Sequence, residues 1–169
     1  MDARIDTERF NLRELTQDDA SPAYLGWFRD PVINNWIAAS STTQNLCDLR
    51  LYIKERMNRD DVLFLGIFDQ FNSRHIGNIK YEPIVREKGE AVMGVLLGDP
   101  RYRGIGVFSE IFLPSASWLK IHRGIKRIYL GVACGNLPAI NAYKKVGFEY
   151  TRWPTHLCSN EALAMVFEI

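Results

Sequence analysis

The chain has 169 residues, of which 47% are hydrophobic, 24% charged and 12% aromatic, and its formal net charge is +1. This composition excludes an intrinsically disordered chain, because nine Phe, seven Tyr and four Trp can bury enough apolar surface to offset the entropy of ordering. The balance of 21 basic against 20 acidic residues argues against binding along a nucleic-acid backbone, which needs an excess of positive charge. We expect a single soluble domain over residues 1–169.

The cysteines and the N-terminal segment suggest where the protein works. Cys47, Cys134 and Cys158 are far apart, with no CxxC pair and no His at metal-ligand spacing, so neither a disulfide framework nor a metal site is predicted. We predict all three thiols to be buried, as free cysteines usually are. The acidic N-terminal segment and the lack of an apolar run of about 20 residues predict a cytoplasmic protein without membrane contact.

The first half of the chain predicts one strand, two helices and then three strands. A strand is predicted over 10–15, and Ser21 followed by Pro22 is a helix start signal. Apolar residues at spacings of three and four predict a second helix over 44–58. Three strands separated by turn residues follow at 62–68, 75–81 and 91–97, close enough to form an antiparallel meander.

The second half predicts strand–helix–strand connections. The apolar period after Gly98 becomes helical, and Pro114 is expected to kink that helix. A strand over 127–133 precedes a helix that Asn136 caps and Gly147 ends, and strands over 148–153 and 162–168 complete the order. We therefore predict an α/β (α+β) fold with a single mixed, mostly antiparallel sheet of six to seven strands and about four helices.

One glycine-containing segment carries the strongest chemical signal. It leaves a strand and opens a helix, reading Gly98-Asp99-Pro100-Arg101-Tyr102-Arg103-Gly104-Ile105-Gly106-Val107. Glycines let the backbone approach a ligand closely, and the N–H groups at a helix start suit a pyrophosphate. A tight turn with solvated arginines is the simpler interpretation. A dinucleotide fingerprint fails because Ser109 stands at the third glycine position and no acidic residue ends the next strand, and a Walker loop fails because no Gly-Lys-Ser/Thr follows.

Two motifs together resemble a known family. The segment Arg101-Tyr102-Arg103-Gly104-Ile105-Gly106 resembles the Arg/Gln-x-x-Gly-x-Gly/Ala loop of the GNAT superfamily of acetyl-CoA-dependent N-acetyltransferases. After the next strand, Asn136 to Phe148 is similar to that family's second signature, Asn-x-x-Ala-x-x-x-Tyr-x-x-x-Gly-Phe. The order of the predicted elements also matches the family over the whole chain. We therefore expect a GNAT-like fold whose two central strands splay apart.

The resemblance implies a set of residues that bind acetyl-CoA as co-substrate. Backbone N–H groups of the glycine loop would hold the pyrophosphate, and the strand before the loop would pair with the pantetheine arm. The implied cofactor-binding residues are Val95, Leu96, Leu97, Arg101, Tyr102, Arg103, Gly104, Ile105, Gly106, Val107, Asn136, Asn141 and Tyr143. No metal is expected.

Amide formation from a thioester needs three groups. The amine must lose a proton, the carbonyl oxygen needs an N–H donor as it becomes negative, and the departing thiolate gains from a proton donor. Tyr143 is the candidate acid, although a tyrosine on a helix face is also an ordinary core residue. The resemblance suggests a backbone N–H of Val95 or Leu96 as the oxyanion donor.

The general base is where the chain departs from the family pattern. Many relatives carry Glu two residues before the strand glycine, where this chain has Val92. Glu90 is our candidate catalytic carboxylate, and Glu82 and Asp99 are nearby in sequence. Each of the three also fits a solvated carboxylate at a strand end, and a water molecule is a further alternative. Glu110 has a family counterpart that we interpret as structural.

The acceptor amine is the least determined part of the prediction. Residues 24–33 resemble the opening of a branch that includes ribosomal-protein and amino-sugar acetyltransferases, and residues 75–84 favour the amino-sugar side. Trp27, Trp36 and Tyr81 fit either stacking on a sugar or base, or packing in the core. His75, His122 and His156 lack a GxSxG partner signature, so a triad hydrolase is not indicated.

We therefore predict an N-acetyltransferase that acts on a primary amine of a small metabolite, such as a nucleotide-linked amino sugar. One alternative acceptor is the N-terminal α-amine of a ribosomal or other protein. A non-catalytic CoA-binding regulatory module is the alternative outside the enzyme class. We expect no nucleic-acid or membrane partner, and a monomer or a homodimer.

Overall fold

The computed structural model describes residues 3–34, 43–157 and 163–169, and its centre is a sheet of eight strands in that part of the chain. The strands are β1 (Arg4–Asp6), β2 (Phe10–Glu14), β3 (Leu63–Asp69), β4 (His75–Val85), β5 (Glu90–Leu97), β6 (Arg127–Val132), β7 (Glu149–Thr151) and β8 (Leu163–Glu168). Their spatial order is β1-β2-β3-β4-β5-β6-β8-β7. All neighbouring pairs are antiparallel except β5 and β6.

The single parallel pair separates soon after it begins. Three residues of β5, Glu90 to Val92, pair with Arg127 to Tyr129 of β6. Beyond Val92, β5 continues to pair with β4 as far as Leu97, while β6 continues to pair with β8. The sheet is therefore open between the second halves of β5 and β6, which is the splayed pair that the family resemblance implies.

Five α-helices in the described ranges flank the sheet. They are α1 (Pro22–Trp27), α2 (Pro31–Asn34), α3 (Leu46–Lys54), α4 (Val107–Arg123) and α5 (Leu137–Lys145). The predicted caps are confirmed, because the Ser21 hydroxyl accepts from the Tyr24 N–H at 3.1 Å and the Asn136 side chain accepts from the Ala139 N–H at 3.3 Å. Gly124 ends α4 in a left-handed conformation with φ of 70°.

Two hydrophobic cores lie on opposite faces of the sheet. The larger core packs α4 against the sheet, with Ile111 and Phe112 facing Ala91, Met93 and the apolar residues of β6. The smaller core packs α1 and α3 against the other face around Leu49 and Ile53. Strand β3 is covered on both faces, which explains why its first five residues are all buried and do not alternate.

The structure confirms the mixed, mostly antiparallel sheet and differs in detail. Strand β1 was not predicted, because its three residues are stabilised by pairing with β2 rather than by a long apolar pattern of their own. Helix α4 continues past Pro114 to Arg123. The prediction of buried thiols is wrong for Cys47 and Cys134, which are both exposed, and Cys158 lies outside the described residues. In the described ranges, no helix combines the length and hydropathy that a bilayer crossing requires.

Candidate active site

The glycine loop between β5 and α4 forms an open backbone cradle. Gly104 and Gly106 have φ of 75° and 82°, a left-handed conformation that favours glycine. A Cβ built on Gly104 meets no atom within 4 Å, so the space beside the loop is open. Among the described residues, no side chain caps the start of α4. The first N–H groups of this helix, with the positive end of its dipole, therefore suit an anionic ligand such as a pyrophosphate.

The two arginines of the loop already have carboxylate partners. Arg101 pairs with Asp99 at 2.5 Å, and its side chain is otherwise exposed. Arg103 pairs with Asp30 at 2.7 Å and donates to the carbonyls of Leu97 and Gly98. Arg103 therefore holds the loop against the turn between α1 and α2. The anion-binding character of the loop rests on backbone N–H groups more than on guanidinium charge.

Residues of the turn between β1 and β2 fix the start of α4. The Glu110 carboxylate accepts from the Thr7 hydroxyl, the Arg9 backbone N–H and the Arg9 Nε, each at 2.7 Å. These bonds hold the pKa of Glu110 below its ordinary value, although burial alone raises it. The Tyr102 hydroxyl donates to Asp69 at 2.7 Å and ties the loop to the end of β3. The geometry agrees with a structural role for Glu110.

The open edge of β5 directs one of the two candidate oxyanion donors into the gap. The Gly98 N–H donates to the Ile76 carbonyl of β4 at 2.9 Å. Donors along an antiparallel strand alternate between its two edges, so the N–H of Leu96 also faces β4. The N–H of Val95 then faces the open edge. Between the two predicted donors, the backbone geometry favours Val95.

Tyr143 lies on α5, on the same face of the sheet as α4. Its ring contacts the rings of Phe108 and Phe148, with centroid distances of 5.1 and 5.8 Å. Burial raises the pKa of Tyr143 to about 12, so the phenol keeps its proton at neutral pH. Of the other residues predicted on this helix, Asn136 caps it and Asn141 is exposed.

Glu82 and Asp99, two of the three carboxylates considered as bases, are paired with cations that lower their pKa. Glu82 accepts from Arg56 at 2.9 Å and from Lys80 at 2.7 Å. Burial alone raises the pKa of Glu82, but these partners hold it below its ordinary value. Asp99, which is 8% exposed, has its pKa lowered by its hydrogen bond with Arg101. A lowered pKa makes both groups weak proton acceptors. The interpretation of both as solvated carboxylates is wrong.

Glu90 is the most enclosed of the three carboxylates. It is 3% exposed, and its two oxygens have different partners. Oε1 lies 2.7 Å from Nη2 of Arg127, and Oε2 lies 2.7 Å from Nε2 of His156. The interpretation of Glu90 as a solvated carboxylate is therefore also wrong. Sequence reasoning missed Arg127 and His156 as site residues, because the contact between Glu90 and His156 joins positions 66 residues apart.

An open surface lies on the face of the sheet opposite Tyr143. Ala91 and Met93 point into the α4 core, so the alternate residues Val92 and Gly94 point to this face. Gly94 is exposed, and a Cβ built on it meets no atom within 4 Å. We call this open surface over Gly94 and Val92 the acceptor-side cleft. Lys80, which pairs with Gly94 in the sheet, borders it on the β4 side, and the stacked rings of Tyr129 and Trp153 border it on the β6 side.

Two of the three aromatic residues that fitted either substrate stacking or core packing lie in the core. Tyr81 is fully buried, and its hydroxyl lies 2.7 Å from Ser115 of α4. Trp27 is also buried and belongs to the smaller core. The prediction for Trp36 lies outside the described residues. Within residues 3–34, 43–157 and 163–169, no group of three or more potential ligand side chains is arranged to hold a metal ion.

Comparison with known proteins agrees with this geometry. Residues 9–149 match the model of the acetyltransferase (GNAT) domain. An N-alpha-acetyltransferase of Sulfurisphaera tokodaii is 33% identical over 79 residues, which are 47% of this chain and 46% of that protein, so the match spans about half of the curated relative.

Two solved structures have the same fold at low sequence identity. The ribosomal L7/L12 alpha-N-protein acetyltransferase RimL, in complex with coenzyme A, has a TM-score of 0.84 at 14% identity and covers 99% of this chain and 98% of its own. The microcin C7 self immunity acetyltransferase MccE, in complex with acetyl-CoA and AMP, has a TM-score of 0.79 at 16% identity. That match covers 96% of this chain and 93% of the MccE chain. Because the domain match spans most of the sequence and the fold agrees over nearly all of it, the chain belongs to the GNAT acetyltransferase family, whose members take their acetyl group from acetyl-CoA.

Proposed function

We propose that the chain transfers the acetyl group of acetyl-CoA to a primary amine by direct attack in a ternary complex. The observation that carries this proposal is that the open edge of β5 and the glycine loop form one continuous surface. The open edge of β5 runs directly into the uncapped glycine loop at the start of α4. A pantetheine arm adds to an open strand edge as a further strand would, and a pyrophosphate suits the N–H groups at the end of that edge.

The residues that hold the cofactor in this proposal follow that surface. Backbone groups of Val95 and Leu97 face the open edge, and the backbone from Arg103 to Val107 forms the cradle. The open space beside Gly104 supports the fit of a bulky anionic group. Bound there, acetyl-CoA supplies the activated acetyl group, and the protein's own groups orient it and exchange the protons.

The two faces of the splayed sheet separate the chemical roles. Tyr143 lies on the α4 and α5 face and keeps its proton at neutral pH, so it suits the protonation of a departing thiolate. The Val95 N–H faces the gap and suits the carbonyl oxygen as negative charge develops. The amine approaches from the acceptor-side cleft on the opposite face. Acid and nucleophile are thereby kept on opposite sides of the acetyl group.

For the acceptor, we propose a small metabolite with a primary amine, such as a nucleotide-linked amino sugar. The borders of the cleft combine the polar Lys80, which is paired with Glu82, with the aromatic pair Tyr129 and Trp153, and polar groups beside aromatic rings suit a sugar or a base. The resemblance of residues 75–84 to amino-sugar acetyltransferases supports the same class. A protein N-terminal α-amine is the second candidate, favoured by the match to the N-alpha-acetyltransferase of Sulfurisphaera tokodaii.

A thiol-release assay with acetyl-CoA tests the proposal and separates its alternatives. The amine panel contains a nucleotide-linked amino sugar, a free amino sugar and short peptides with unblocked N-termini, each with its N-acetylated form as control. We expect turnover with the nucleotide-linked amino sugar and none with the N-acetylated controls. Turnover with peptides alone would assign the α-amine. Binding of CoA with no turnover on any amine would identify a non-catalytic CoA-binding module and contradict the proposal.

A further inference from the structure

We propose that His156, positioned by Glu90, accepts the proton that the acceptor amine loses. This inference rests on the proposed function and names the base that the family position, here Val92, does not supply. His156 follows β7 in a short 3-10 turn, Thr155–Leu157, and reaches back to the start of β5. The role therefore depends on a contact between two distant parts of the chain.

The geometry gives the two residues different roles. Both oxygens of Glu90 are engaged, one with Arg127 and the other with Nε2 of His156, and the carboxylate is almost fully enclosed. Glu90 therefore has no free edge with which to reach an amine. A carboxylate beside Nε2 favours the neutral tautomer that carries its proton on Nε2. Nδ1 is then left with a lone pair, and the His156 side chain is 32% exposed.

The dyad lies at the end of the acceptor-side cleft. Glu90, Val92 and Gly94 alternate onto the same face of β5, and the pairing between β5 and β6 ends at Val92 and Tyr129. Glu90 and Val92 are about 7 Å apart along the strand. Trp153, three residues before His156, stacks over Tyr129 of β6 with a centroid distance of 6.4 Å. The segment that carries His156 thus forms a wall of the cleft where the strands separate.

The charges around the imidazole are compatible with a transient positive charge on the ring. Glu90 faces it from β5, and Arg127 and Tyr129 extend from β6 on the same face. Glu168 of β8 pairs with Arg127 in the sheet and adds a second carboxylate nearby. In the described part of the chain, Glu90 contacts the imidazole and Arg127 contacts Glu90, and Tyr129 stays neutral because burial raises its pKa. An imidazolium beside Glu90 forms a charge-assisted hydrogen bond.

The proton balance of the step is complete without a further reactant. The amine nitrogen forms a bond to the acetyl carbonyl carbon, and the bond from that carbon to sulfur breaks. The surplus proton of the nitrogen passes to Nδ1 of His156, directly or through one water molecule, and the imidazolium then releases it to solvent. Tyr143 protonates the thiolate and regains its own proton from water.

The pH dependence of kcat tests this role. Variants His156→Gln, His156→Ala and Glu90→Gln are compared with the intact chain at saturating acetyl-CoA, with the most active amine of the panel as probe. His122→Gln is the matched control, because His122 is exposed on α4. We expect His156→Gln to lower kcat about 100-fold with an unchanged KM for acetyl-CoA, and to change the pH profile of kcat. Added imidazole should restore activity to His156→Ala, and Glu90→Gln should lower kcat to a smaller extent.

Other results would overturn the inference. If His156→Gln keeps the wild-type kcat and pH profile, or if it loses activity while keeping that profile and His156→Ala is not rescued, the contact with Glu90 serves only to hold the 3-10 turn on the sheet. Thermal unfolding of each variant identifies a loss caused by misfolding, and rescue by imidazole is a result that a misfolded variant does not give. An intact chain that binds CoA but acetylates no amine would overturn the proposed function and this inference together.

Discussion

At the residue scale, the surroundings of a side chain decide whether it reacts or packs. Tyr143 and Tyr81 are both tyrosines whose pKa is raised by burial, yet their hydroxyl groups differ. The Tyr81 hydroxyl is bound to Ser115 in the core. Among the described residues, the Tyr143 hydroxyl has no hydrogen-bond partner, and its helix packs on the same face of the sheet as α4. Of these two tyrosines, Tyr143 is the one whose environment fits the proposed proton transfer.

We predict that Tyr143→Phe lowers kcat by about 100-fold, because removing a general acid of this kind costs that order of rate. Affinity for CoA should stay within about twofold, since the aromatic contacts with Phe108 and Phe148 are kept. Thiol release gives kcat, and calorimetry gives the affinity. Tyr150→Phe is the control, because Tyr150 is an exposed tyrosine on β7. Wild-type turnover in Tyr143→Phe would leave the residue with a packing role only.

At the element scale, the junction between β5 and α4 is the feature that would bind a ligand. A strand edge, two left-handed glycines and a helix start occur in succession, so successive N–H groups point toward one place. The same helix has a glycine of similar conformation at its other end, since Gly124 has φ of 70° and a Cβ built on it also meets no atom within 4 Å. A side chain at Gly104 or at Gly124 would therefore meet the same unfavourable left-handed backbone conformation. The two positions differ in that only Gly104 is proposed to contact a ligand.

We predict that Gly104→Ala weakens CoA binding about tenfold, whereas Gly124→Ala leaves it unchanged. Both substitutions put an L side chain in a left-handed conformation and should cost about 1–2 kcal/mol of stability. Only the first also places a methyl group beside the proposed pyrophosphate site. Calorimetry measures the binding, and denaturant unfolding measures the stability of both variants. Equal CoA affinity in the two variants would contradict the placement of the pyrophosphate at this loop.

At the scale of the whole molecule, His75 couples folding to pH. Its ring lies between aromatic side chains, stacked on Phe68 and edge-on to Tyr24 and Trp27, and both ring nitrogens are buried with no hydrogen-bond partner in the described part of the chain. Burial lowers the pKa of His75 from 6.5 to about 4. Below pH 6.5 the unfolded chain binds a proton that the folded chain does not bind. The contribution of His75 to the free energy of unfolding is therefore fully present above pH 6.5 and is lost as pH falls toward 4.

We predict that acidification from pH 6.5 to pH 4 removes up to about 3 kcal/mol of unfolding free energy through this residue. His75→Phe keeps an aromatic ring in the cluster and should abolish this part of the pH dependence. Urea unfolding at pH 7.0 and 5.0 measures this pH dependence of the unfolding free energy. Both pH values are chosen because they lie above the range where the paired carboxylates titrate. His122→Gln serves as control. An unchanged difference between the two pH values in His75→Phe would show that another group causes it.

Much of the fold and the cofactor side of the candidate site was predictable from local sequence. The helix caps at Ser21 and Asn136 depend on residues within three positions of each other, so a local pattern predicts them. The glycine loop is likewise a run of adjacent residues. The ion pair between Arg103 and Asp30 was not predictable, because it joins positions 73 residues apart and carries no local pattern.

The sequence by itself determined the order of the elements apart from β1 and α2, the glycine loop and the tyrosine on α5, since periodicity, capping and turn chemistry act over a few residues. Tertiary structure decided the partners and the exposure of the candidate carboxylates. It paired Glu82 and Asp99 with cations and brought Glu90 between Arg127 and His156. The physical reason is that the partners and the accessibility of a carboxyl group depend on its neighbours in space, and these neighbours come from β4, the glycine loop, β6 and the turn after β7.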